Sequence, residues 1–130
     1  LTEEDLAWAK TKMLEIVSQN HPGTKAELIF QDTAPPFAPR PANEQLLAMY
    51  NEVSSALGAP PVTAANPRFS GMADINFVAY RVSAALDGIG IGGGNEHRED
   101  EEAFLDTFPL QCKRAALLLN KIAEMGRDWW

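Results

Sequence analysis

The chain is short of cysteine and of basic residues, and it has no long apolar run. Its single cysteine, Cys112, excludes an internal disulfide and cannot build a structural zinc knuckle alone. Secreted chains can also lack disulfides, so the compartment stays open, with the cytoplasm favoured. No apolar stretch approaches the roughly 20 residues that a spanning helix needs. The first residues, Leu1-Thr2-Glu3-Glu4-Asp5, are acidic where a secretory signal is basic and then apolar, so neither a membrane span nor a signal is expected. Eleven bases against 18 acids leave a formal charge of −7, which removes the general attraction to phosphate backbones and argues against nucleic acid as a partner. What is present is a chain of 130 residues, 45% hydrophobic and 22% charged, enough for one soluble domain with a core. Its start at Leu1, without an initiator methionine, makes a processed or truncated piece of a longer protein the expectation.

Helical spacing opens the chain. Thr2 with Asp5 three positions on makes a capping box, and the early acids complement the helix dipole. Leu6, Ala9, Met13, Ile16 and Val17 then form one apolar face to about Asn20. His21-Pro22-Gly23 is a stop signal, and residues 26–30 read as a short strand. Four prolines between Ala34 and Pro41 cannot supply ladder or helix amides, so this stretch reads as an extended connector. Asn43 is expected to cap a helix with Leu46, Tyr50, Val53 and Leu57 on one face, ended by Gly58. Residues 61–65 read as a short strand and Asn66-Pro67 as a turn. A third helix is expected from Asp74 to Ala85, with Phe77, Val78 and Val82 inward. Five glycines between Asp87 and Asn95 exclude a helix or strand interior and make a loop. A short strand over 103–105 and a last helix opened by Thr107, burying Ala115, Leu118, Ile122 and Met125, complete the reading.

Several residues could carry chemistry. His97 follows the glycine loop and stands among Glu96, Glu99, Asp100, Glu101 and Glu102, acceptors able to orient an imidazole for metal or proton work. A plain surface histidine in a solvated acidic loop is the alternative. Asp74 enters a helix and reads as an N-cap or as the organiser of a loop. The glycine loop lacks the Gly-Lys-Ser/Thr ending of a phosphate cradle. His21 suits the carbonyl end of the first helix, and Cys112 lies within the last helix without a plausible nearby base and reads as a buried or inert thiol. Trp129-Trp130 could be an interface patch or a frayed terminus.

In order, Ser70-Gly71-Met72-Ala73-Asp74-Ile75-Asn76-Phe77, then the stretch from Leu86 through Gly92-Gly93-Gly94-Asn95-Glu96-His97, then Glu101-Glu102, resemble the C-terminal part of the aminoacylase and glutamate carboxypeptidase family of zinc exopeptidases. Asp74 and His97 stand 23 positions apart, which suits the family pattern. The helix through Arg114-Ala115-Ala116-Leu117-Leu118-Leu119 is similar to the last helix of the catalytic domain in that family.

The resemblance implies an α/β fold: a partial three-layer zinc-exopeptidase catalytic domain preceded by a helix-strand remnant of the α+β lid or dimerisation domain. Residues 1–34 would be the end of the lid, residues 35–130 the C-terminal half of the catalytic domain, and the proline connector an interdomain hinge. In the complete enzyme two zinc ions would activate a bridging water to cleave a terminal amide of a small peptide or N-acyl amino acid, and a homodimer is implied. His97 matches the final zinc ligand. Gly71 and Met72 match a turn that contacts the substrate, and Asp74 would orient it. The bridging aspartate, first histidine and catalytic glutamate belong to a half absent from this sequence, so no catalytic residue maps here and the isolated chain should be inactive. Ala34 stands where an arginine often precedes the Pro-x-Phe segment, so free-carboxylate specificity does not carry over. The histidine of the lid has no counterpart, since His21 lies at the wrong end of its helix.

Two other readings differ in class: a non-enzymatic dimerisation or binding module on the same scaffold, and a small phosphate-binding protein using the glycine loop.

Overall fold

The computed structural model describes residues 2–67 and 71–126. Leu1, Ser70, Trp129 and Trp130 lie outside them, so the start of the 70–77 motif and the terminal tryptophan pair are not described. The elements are α1 (Glu3–Ser18), α2 (Pro41–Ala56), a four-residue α3 (Ile75–Val78) running into a 3-10 turn (Ala79–Arg81), β1 (Gly93–Gly94), β2 (Glu102–Ala103), a 3-10 turn (Leu105–Thr107) and α4 (Phe108–Glu124). β1 and β2 pair antiparallel, Gly93 with Ala103 and Gly94 with Glu102.

The capping box of α1 forms as its spacing predicts. Thr2 Oγ1 accepts from the Asp5 amide at 3.1 Å, and the Thr2 amide donates to the Asp5 carboxylate at 2.8 Å. The apolar face of α1 meets little. Leu6, Ala9 and Val17 are half-buried, while Met13 and Ile16 are exposed. Lys10 ties the helix to the following segment through an ion pair with Asp32 at 2.5 Å and a position over the Phe30 ring.

The core is the contact of α2 with α4. Leu46, Met49 and Tyr50 pack on Leu118 and Ile122, with Ala84, Leu86 and Ile89 against their edge. Burying side chains of this size contributes about 1.5–3 kcal/mol each. Val53 is buried and Leu57 half-buried, and Gly58 ends the helix with a positive φ of 67°. α2 begins at Pro41, two residues before Asn43, because proline at the first turn carries a φ already suited to a helix. Asn43 does not cap it; its Oδ1 accepts from the Ala85 amide at 3.1 Å.

Three expectations need correction. Residues 26–30, 61–65 and 103–105 do not form the expected strands; only Glu102–Ala103 pairs. An extended run becomes a strand only when a neighbouring backbone supplies a ladder, and among the described residues the first two are met by side chains instead: Asn20 Oδ1 accepts from the Ala26 amide, and the Asn51 amide group pairs with the Val62 amide and carbonyl. The third helix stops short of Ala85, since Val82 is extended and the Arg40 guanidinium takes the Ala79 and Val82 carbonyls. Its inward residue is Ala79, while Phe77, Val78 and Val82 are exposed. In α4, Leu118 and Ile122 are buried as expected, Ala115 is half-buried, and Met125, just past the helix end, is exposed. The unexpected member of that face is Arg114, only 6% exposed.

Candidate functional site

Two places gather the residues of interest. The first is a groove of about 670 Å³ whose walls include Pro35, Phe37, Tyr50, Met72, Leu86 and Ile89. Gly71 and Asn76 also line it. Most of its wall is apolar, and the charged residues described there are Glu44 and Asp87, both acidic. Pockets of this size and character suit a small organic ligand held by its apolar part and oriented by a few polar groups. The floor comes from α2, which brings Tyr50 from the core; the Tyr50 hydroxyl donates to Gln111 Oε1 at 3.1 Å.

The second is the glycine loop and the turn after it. Phe104 donates its amide to the Gly92 carbonyl at 2.8 Å, and the Gly92 amide donates to Thr107 Oγ1 at 2.9 Å. At Gly93 a Cβ would stand 2.7 Å from the Glu102 carbonyl oxygen, so the close approach of the two strands requires glycine there. Asn95 and His97 have positive φ values of 57° and 64°. Asparagine and histidine tolerate this region better than most residues, and such outliers gather where a loop is held for a purpose. Arg98 pairs with Asp100 at 2.9 Å. His97, Arg98, Glu99 and Asp100 line a shallow, wide-open depression, and His97 is exposed.

The structure brings Gly71 and Met72 together in the groove, while His97 stands on its own turn, outside the groove lining. Asp74 is exposed and makes no side-chain cap on α3; its backbone carbonyl accepts from the Phe77 amide at 3.1 Å. The turn is closed by Asn76 instead, whose Oδ1 accepts from the Ala73 amide at 3.0 Å. Among the described residues no three His, Cys, Asp or Glu side chains gather as a metal would require. His97 and His21 are both exposed and lie on separate turns, so the described residues do not by themselves fit a resident zinc ion. His21 is exposed in the turn after α1, and its carbonyl accepts from the Thr24 amide. Cys112 is exposed on α4.

Sequence reasoning missed the roles of Asn76 and Arg40 and assigned Asn43 to a helix cap that it does not make. The only advance signal was their position, the first inside the 70–77 motif and the other two flanking Pro41. No helix among the described residues is long and apolar enough to cross a membrane. Comparison of the chain with family models, with curated proteins and with solved structures finds no match.

Proposed function

We propose that the chain is the C-terminal portion of a zinc-dependent amidohydrolase or exopeptidase of the aminoacylase and glutamate carboxypeptidase type. In this reading it contributes part of the substrate groove and one metal-ligating imidazole, and it is inactive alone. The observation that carries the reading is the groove itself: the turn at Gly71 and Met72, assigned to substrate by the motif resemblance, forms part of the wall of this mostly apolar groove. The acidic rim and apolar wall favour a substrate with an apolar acyl group or side chain beside the scissile amide.

Surface area supports the idea of a part rather than a whole. A folded monomer of 14.2 kDa exposes about 6,800 Å², whereas this chain exposes 10256 Å². The excess, roughly 3,500 Å², exceeds one partner's share of an ordinary protein interface and matches a core awaiting its other half. The one imidazole assigned to the metal agrees with the same idea, since about three protein ligands are needed per catalytic zinc and the remainder would have to come from residues outside this sequence.

The test is the coding sequence upstream of Leu1, together with hydrolysis of an N-acyl amino acid by the complete gene product. The proposal expects upstream His-x-Asp and Glu-Glu segments and metal-dependent hydrolysis. A reading frame that begins near Leu1 would favour the dimerisation or binding module instead.

A further inference from the structure

Segments 33–43 and 72–85 run side by side in the same direction, joined by a series of polar rungs. Thr33 Oγ1 donates to Met72 Sδ at 3.6 Å, and Asn76 Nδ2 donates to the Pro35 carbonyl at 3.0 Å. Arg40 donates through Nη2 to the Ala79 carbonyl at 2.9 Å and through Nη1 to the Val82 carbonyl at 3.0 Å. The Ala85 amide donates to Asn43 Oδ1 at 3.1 Å. Partners along this series are separated by 39 to 42 positions, a nearly constant offset.

This is a parallel pairing without a β-ladder, and the reason is chemical. Pro35, Pro36, Pro39 and Pro41 have no backbone N–H to donate, and residues 75–81 of the other segment are helical, so side chains serve as rungs. Asn76 is a rung at the groove, as is the Asn43–Ala85 pair, and both ends of the Asn76 amide are used. Its Oδ1 closes the 73–76 turn next to Gly71 and Met72, and its Nδ2 holds the wall at Pro35. Pro35, Gly71, Met72 and Asn76 all line the groove.

We propose that Asn76 is a positioning residue of the groove: one half-buried amide fixes the spacing between the Gly71–Met72 turn and the proline wall, while Arg40 and then Asn43 continue the same pairing. The proline segment next to the groove therefore moves as one body with residues 72–85. The use of that spacing to select a substrate rests on the function proposed above; the positioning itself does not.

Two variants separate the two ends of the amide. In Asn76→Asp the carboxylate still accepts from the Ala73 amide but cannot donate to the Pro35 carbonyl; in Asn76→Ala both contacts are lost. Amide-resolved NMR of the 130-residue chain would follow Ala73 exchange, order at Phe37 and Ala38, and the α2 and α4 amides as an internal reference. The neutral probe N-acetyl-methionine amide would be titrated alongside. Asn76→Asp should keep Ala73 protected, loosen Phe37 and Ala38, leave α2 and α4 unchanged, and weaken the probe about 5- to 10-fold, the effect of one lost hydrogen bond. Asn76→Ala should in addition expose Ala73. Arg40→Lys, which cannot span both carbonyls, should loosen Val82 to Ala85 in the same way. Unchanged Phe37 and Ala38 in both Asn76 variants would overturn the proposal, as would protection lost evenly across α2 and α4. Failure of the probe to bind the wild-type chain would count against the substrate reading, while the amide comparison would still decide the positioning.

Discussion

At Gly93 a single methyl group decides whether the glycine loop keeps its shape. Its Cβ would meet the Glu102 carbonyl oxygen at 2.7 Å, and a backbone atom cannot swing aside as a flexible side chain could. Gly93→Ala is expected to destabilise the chain by about 1–3 kcal/mol and to release the β1–β2 pairing, whereas Gly90→Ala, with open space around its Cβ, should change little. Urea denaturation of the two variants side by side checks this. Arg114 makes a second residue-level prediction. Its guanidinium donates to Gln111 Oε1 at 3.2 Å and to the Pro60 carbonyl at 2.8 Å, lies over the Tyr50 ring, and leaves Nε buried without a partner. These partners are all neutral, so the cation is desolvated for a modest return. Arg114→Met keeps the aliphatic bulk and removes the buried charge, and it should cost less stability than Arg114→Ala, for which about 2–4 kcal/mol is expected from the cavity and the lost bonds. Neither Arg114 nor Asn76 was legible as a structural residue beforehand. Helical periodicity counts apolar side chains, and besides a local partner three positions away each of these two has one that lies 54 or 41 positions away.

Elements whose stabilising contacts are local were readable, and those that depend on distant partners were not. The start of α1 was visible because its cap joins residues three positions apart, Thr2 and Asp5. The α2 and α4 faces were visible because Leu46, Tyr50, Leu118 and Ile122 repeat at helical spacing on elements that meet. The strands expected at 26–30 and 61–65 had the right composition but no partner strand among the described residues, and α3 was cut short by an arginine 39 and 42 positions upstream. The same locality gives the α1 cap a pH dependence. The Thr2 amide holds the Asp5 carboxyl below its ordinary value of 3.8. The contribution of the depressed carboxylate is therefore fully present above that value and is lost as pH falls through the lower folded-state value. NMR of α1 amides should show the first turn fraying on acidification in the wild type. Thr2→Ala, expected to cost about 1 kcal/mol of helix stability, should already be frayed at neutral pH and show a weaker acid transition.

Taken whole, the molecule has a small α2–α4 core and much more surface than its mass requires. The exposed apolar residues of α1, among them Trp8, Met13 and Ile16, and of α4, Leu117 and Leu119, belong to faces that the described residues do not cover. Composition foretold a chain able to form a core, but it could not show how little of the apolar surface these elements bury among themselves, because that depends on which elements meet. The candidate site divides in the same way. Gly71 and Met72 line the groove, while His97 stands apart on a turn with positive φ and, among the described residues, no set of metal donors around it. The most direct measurement is the zinc content of the complete gene product, wild type against His97→Ala, by elemental analysis of the purified protein. The account predicts two zinc ions per chain in the wild type and fewer in the variant, with the fold retained. Full zinc content in His97→Ala, or no zinc in the wild type, would contradict it.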